Sequence, residues 1–336
     1  MNVSLASRDP WLEWALRIVG VLVIGALAFL AYTVWQGERQ AKQGSLASRA
    51  IATLEEQVRK DPQNPDYRVL LGDAFRDIGS HASAIEQYNA ALELQPDNPS
   101  AMSGLALVAM NRQEWRTAEG YWQQAVEVLS KNKFAAQDLR LEKAYYYYGL
   151  TLIQVAEYED AVAYLKEALR IKRSDADTHY ALSVAYRELG SIPNQRSSLE
   201  AALAFVPSMP EANYDLGLLL VADGDEAGAA ELFRRSADNF PGKPEPLAEL
   251  EKLGPFEDRI TAAQALLTSD PAAALLEGRV ALALEPDSLD AARLVARLLQ
   301  QLAEPAEAKA AWERVLDMAP EDPEATEALE ALGSDA

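Results

Sequence analysis

The chain has 336 residues, with 52 acidic and 31 basic side chains, a formal net charge of −21, two histidines and no cysteine. Without Cys there is no disulfide framework, thiolate nucleophile, iron–sulfur cluster or Cys-type zinc site, and two imidazoles cannot build a His-rich metal centre. The acidic balance argues against a nucleic-acid binder, whose affinity rests on neutralising phosphates, while 49% apolar residues are ample for a core.

Residues 1–14 form an N-terminal tail, and residues 15–36 are expected to be a transmembrane helix. The run 18–34, IVGVLVIGALAFLAYTV, carries no charge, and a helix of that length spans ~25 Å, close to the hydrocarbon core of a bilayer once its apolar flanks are added. Trp11 and Trp14 precede the run and Tyr32 and Trp35 close it, as aromatic belts do at both membrane interfaces. A cleaved signal peptide would have an apolar core of ~7–15 residues followed by a small-x-small site. This run is longer and ends in YTVWQ, so a retained anchor is expected. Arg8 and Arg17 stand before it and Arg39, Lys42 and Arg49 after it, which leaves orientation nearly undecided. Short N-terminal tails more often stay inside, which places the bulk of the chain outside the cytoplasm. Residues 37–64 hold a polar linker and a half-repeat helix, ASRAIATLEEQVRKD at 47–61, that would cap the N-terminal end of the helical region beyond it.

From there a spacing recurs. Gly72, Ala84, Tyr88, Ala91 and Pro96 reappear 34 residues on as Ala106, Ala118, Trp122, Ala125 and Ser130. Further sets are Gly149, Ala161, Leu165, Ala168, Arg173, then Ser183, Gln195, Leu199, Ala202, Pro207, then Gly217, Ala229, Phe233, Ser236, Pro241. A weaker set, Ala262, Ala274, Gly278, Ala281, Pro286, precedes Ala296, Ala308, Trp312, Val315, Pro320. Small residues let two antiparallel helices cross closely, one bulky residue fills the gap to the next pair, and Pro ends the second helix. Each pair leaves an apolar face for its neighbour, giving a quasi-one-dimensional stack.

This period and pattern resemble the tetratricopeptide repeat. The resemblance implies an all-α, right-handed solenoid of about seven helix pairs over 65–322: units 65–98, 99–132, 142–175, 176–209, 210–243, 255–288 and 289–322. Insertions at 133–141, a lengthened helix or connector, and 244–254, a Pro-bounded hinge, break the period, and 323–336 would be a C-terminal cap and tail. Among proteins of this layout, membrane-anchored bacterial members offer the nearest architecture.

No phosphate loop, HExxH or GxSxG is present, and the scattered carboxylates fit solvated helix faces. His81 is expected in a solvated turn and His179 at a helix interface. No catalytic residue, metal, cofactor, nucleic acid or small-molecule substrate is expected. The resemblance further implies that the first helix of each unit lines a concave groove. Its fifth positions carry Tyr146, Tyr180 and Tyr214, its ninth Leu150, Val184 and Leu218, its twelfth Ile153, Arg187 and Val221. Arg187 is the only cation of this strip, with Glu188 and Glu211 beside it. The strip is either a site for a partner peptide or helix or a surface covered by the array itself or by 244–254. The carboxylate clamp of chaperone-binding members is rejected, because Val69 and Asp73 stand where it needs Lys and Asn, and Glu211 and Asp215 where further cations would be wanted. The expected function is a non-catalytic, membrane-anchored scaffold or assembly factor on the bacterial inner membrane, similar to proteins of cytochrome c maturation or translocon chaperoning. The alternative is a constitutive subunit of a pilus, secretion or electron-transfer machine.

Overall fold

A computed structural model describes residues 29–33, 35–36 and 46–334. They are helical wherever they are regular. Most of the expected membrane segment, and Trp11 and Trp14 before it, lie outside the described residues; of those described, no helix is long and apolar enough to cross a membrane. Tyr32 and Trp35 are described, both exposed, with rings 6.3 Å apart.

The chain divides into two compact units between Lys133 and Phe134. The first contains helix α1 (46–60) and two hairpins: α2 (Pro65–Asp77) with α3 (His81–Leu94), and α4 (Pro99–Asn111) with α5 (Trp115–Ser130). The second opens with a 3₁₀ turn, Ala135–Gln137, and continues as hairpins α6 (Leu139–Gln154) with α7 (Tyr158–Ile171), α8 (Ala176–Glu188) with α9 (Ile192–Phe205) and α10 (Pro210–Asp223) with α11 (Glu226–Asn239). Then come α12 (Glu245–Lys252), α13 (Phe256–Leu266) with α14 (Pro271–Leu284), α15 (Leu289–Gln301) with α16 (Pro305–Met318), and α17 (Pro323–Ser334).

Helix starts are written in the sequence. Asn64, Asn98, Asp138, Asp175, Asp225, Asp270, Ser288 and Asp322 each accept a hydrogen bond from a backbone N–H of the first turn. Proline follows directly at Pro65, Pro99, Pro271 and Pro323, where its missing N–H costs nothing. Helix ends repeat as well. Gly79, Gln113, Ala156, Gly190, Gly224 and Ala303 have φ between 58° and 84°. Each is the fifteenth residue of its unit. The next residue's N–H reaches back five positions, as in Ser80 to Phe75 at 2.8 Å and Glu304 to Leu299 at 3.1 Å, which closes the helix in a Schellman motif.

The hairpins interlock through one bulky side chain each. Tyr88, Trp122, Leu165, Leu199, Phe233 and Trp312 are at most 2% exposed. A Cβ at Gly72 or Gly104 would lie 2.7 or 2.3 Å from the Tyr88 ring, and one at Gly217 would lie 2.6 Å from that of Phe233. The small residue of the first helix is therefore the socket for the large residue of the second. The weaker sixth set has a physical cause. Gly278 stands where the others are bulky, and Val295 of α15 closes to 3.2 Å from where its Cβ would be. The fifteenth-residue turn is missing there too, because 269 is not among the positive-φ residues.

Two expectations change. His81 is not in a solvated turn: it opens α3, half-buried, with Nδ1 shut off from solvent. The 244–254 segment is not an open hinge but carries the packed helix α12. Its Leu250 and Leu253 share a core with Phe233 of α11 and Val280 of α14. Arg259 fixes this arrangement by bonding the Leu253 carbonyl, Glu277 at 2.9 Å and Glu226 at 2.7 Å.

Candidate partner-binding site

The candidate strip lies on first helices of the second unit. Tyr146, Leu150 and Ile153 of α6 are half-buried and pack against Leu165 of α7 and Ala181, Leu182 and Tyr186. Burial pushes the Tyr146 phenol up to about 12, with the charge of Asp177 adding to it. Val184 of α8 is half-buried. Tyr180 packs on Leu199, Ala202, Ala212 and Leu216. Tyr214 packs on the core shared by α11, α12 and α14, with its ring 5.8 Å from Phe233. Leu218 and Val221, further along α10, are 37% and 41% exposed. The three tyrosines thus pack both within their own hairpins and against the elements that follow, and each residue stays half-buried.

The second half of the strip is organised by a residue outside the fifth, ninth and twelfth positions. Asp215 of α10 is 9% exposed. Its Oδ2 accepts the Tyr180 hydroxyl at 3.2 Å and an Nη1–H of Arg187 at 3.2 Å. Burial pushes the Asp215 carboxyl above the usual range, opposed by Arg187. Burial also raises the Tyr180 phenol, and the Asp215 charge reinforces the shift. Arg187 is therefore not a free cation: Glu188 also bonds it, at 3.3 Å. Tyr180, Tyr214 and Asp215 border a cavity of about 220 Å³, lined also by Lys243 and by Glu245 and Pro246 at the start of α12. The insertion thus flanks the Tyr214 end of the strip and leaves Leu218 and Val221 exposed.

Sequence reasoning met Asp215 only as an acid at a clamp position and did not nominate Lys243 or Glu245. The one signal for Asp215 was a lone carboxylate ahead of the apolar run LGLLLV. His179 sets its Nε2 3.0 Å from the Arg173 carbonyl and stacks on Phe205 at 5.7 Å, a packing role. In the first unit Val69 is buried, and Asp73 accepts the Tyr88 hydroxyl at 2.7 Å and pairs with Arg76 at 2.9 Å. That surface presents an acid–base pair where a clamp for carboxylates would need cations. Among the described residues, no group of three or more His, Asp or Glu is placed to hold a metal.

The class these features define is a stack of helix hairpins locked by small-to-large contacts. Residues 72–111 match a family model described as TPR repeat, and residues 149–210 and 196–244 match one described as Tetratricopeptide repeat. These stretches, less than half of the chain, are similar to tetratricopeptide repeats. Cellulose synthase operon protein C of Xanthomonas axonopodis pv. citri is 25% identical over an alignment covering 97% of this chain and 21% of that protein. The E3 ubiquitin-protein ligase CHIP of Arabidopsis thaliana is 27% identical over 36% of this chain and 40% of its own. The chain spans two fifths or less of these relatives. Of solved structures, the type IV pilus biogenesis factor PilW superposes with a TM-score of 0.53 at 18% identity, over 62% of this chain and 92% of that one. YrrB, a TPR protein with an unusual peptide-binding site, gives 0.50 at 16%, over 60% and 100%. Both likenesses show the fold.

Proposed function

We propose that the chain is a non-catalytic scaffold or assembly factor, held at a bacterial inner membrane by residues 15–36, whose first-helix face between α6 and α10 holds a segment of a partner protein. The observation that carries this reading is the exposed pair Leu218 and Val221, 37% and 41% accessible, continuous along α10 with the half-buried Tyr214. Apolar side chains left open beside aromatic ones suit an apolar or amphipathic segment. Tetratricopeptide repeats mediate protein–protein interaction, which agrees with this use of the face. The anchor rests on the uncharged run 18–34 and its aromatic flanks.

Leu218 and Val221 are better probes than the tyrosines, because Tyr180 is tied into the core through Asp215 and its removal would disturb the fold. The double substitution Leu218→Ser and Val221→Ser is expected to weaken partner binding by more than ~1 kcal/mol, the range of interface anchors. The melting temperature should stay within a few degrees, because both side chains are already accessible. Binding unchanged in the double variant, measured by titration against the isolated partner, would remove this face from the interaction.

A further inference from the structure

The cavity between Tyr180, Tyr214 and the start of α12 has a charge balance that the 34-residue repeat does not dictate. Three carboxylates border it, Glu211, Asp215 and Glu245. Two cations answer them. Arg187 is divided between Asp215 and Glu188. Lys243 stands 3.8 Å from Glu211, with its side chain 47% exposed. Both partners of Asp215 bond the same oxygen, Oδ2, of a residue only 9% exposed. Glu245 has no ion-pair partner among the described residues. A largely buried carboxylate with two more at the same cavity, beside two phenol rings, is an environment that a cation relieves. A cavity of ~150 Å³ already admits a molecule of benzene's size, and this one measures about 220 Å³.

We propose that this cavity receives a lysine or arginine side chain of the bound partner segment. Its methylene stem lies against Tyr180 and Tyr214, and its charged head lies among Asp215, Glu211 and Glu245. This rests on the scaffold reading above and gives it a chemistry: the partner is an apolar segment interrupted by a basic residue. The net charge of −21 favours such a segment at longer range too. Because α12 supplies Glu245 and Pro246, the pocket depends on the insertion, and it sets the register of the segment at one repeat.

The test uses the full chain labelled with 3-fluorotyrosine, its resonances for positions 180 and 214 assigned with Tyr180→Phe and Tyr214→Phe. Three probes are titrated: Nα-acetyl-lysine amide, its uncharged counterpart Nα-acetyl-norleucine amide, and Nα-acetyl-glutamate amide. The lysine probe is expected to shift both resonances saturably and to bind roughly tenfold more tightly than the norleucine probe. Asp215→Asn, which keeps the shape of the side chain, should lower its affinity by a similar factor. Glu245→Gln, at an exposed helix start, should lower it about threefold without touching the core, and Lys243→Met should raise it. Equal affinity for lysine and norleucine would overturn the proposal. So would tighter binding of the glutamate probe, or a lysine response unchanged in both carboxylate variants. A partner lost on Leu218→Ser and Val221→Ser while no lysine response exists would leave the scaffold standing and remove the cation pocket. A lysine response with a partner indifferent to Leu218 and Val221 would do the reverse.

Discussion

Phe233→Ala is expected to lower the stability of the second unit by about 3–5 kcal/mol, the usual cost of emptying a fully buried aromatic site. Phe233 has no exposed surface. It fills the socket left by Gly217 and touches the core built from α11, α12 and α14, including Leu250, Leu253 and Val280. Removing it opens a void shared by elements that cannot all close in, because Arg234 ties α11 to the end of α14. Its Nε–H donates to the Ala283 carbonyl at 2.7 Å and an Nη2–H to that of Leu284 at 2.9 Å. The check is the midpoint of urea denaturation followed by circular dichroism. A shift below ~1 kcal/mol would mean that Phe233 does not lock the fifth hairpin.

The second large effect is a contrast of opposite signs between two glycines of one unit. Gly104→Ala places a methyl group 2.3 Å from the Tyr88 ring. That ring cannot swing away, since it is fully buried and its hydroxyl is held by Asp73 at 2.7 Å. The expected cost is about 1–3 kcal/mol of overpacking. Gly120 lies inside α5 with nothing within 4 Å of its would-be Cβ, so Gly120→Ala should stabilise the same unit by about 0.5–1 kcal/mol through lower entropy of the unfolded chain. Thermal unfolding of the two variants beside the parent reads both. Two shifts of the same sign would show that the small residue on α4 is not a socket.

The hairpin repeat was legible because close helix crossings force small residues at fixed places, and Ala84, Ala91, Ala118, Ala125, Ala161 and Ala168 carry that constraint openly. Other features left less trace. Three left-handed turn residues are Gln113, Ala156 and Ala303 rather than glycine, because the Schellman hydrogen bonds and the following helix hold the turn whichever residue occupies it. The 244–254 segment, bounded by Pro and Gly, resembled a hinge. Its buried side chains are only Pro246, Leu250 and Leu253, too short a pattern to reveal a packed helix. The strip was found from tyrosines 34 residues apart, yet those residues are half-buried between their own hairpins and the elements that follow. The accessible apolar surface lies instead on Leu218 and Val221. Asp215 was read only as an acid standing where a clamp would need a cation; a carboxylate on a helix in a chain with 52 acids carries no mark of burial, and only the three-dimensional neighbours Tyr180 and Arg187 reveal it.

The central claim is that a partner segment lies on the first-helix face of the second unit. Site-specific photocrosslinking in living cells tests it most directly, with a photoreactive phenylalanine placed one position at a time in the full chain. Crosslinks to one partner from positions 218 and 221, and none from the exposed Glu200 position on the second helix α9, are the predicted result. Crosslinks from position 200 with silence at 218 and 221 would contradict the account and move the interaction to the opposite helices of the stack.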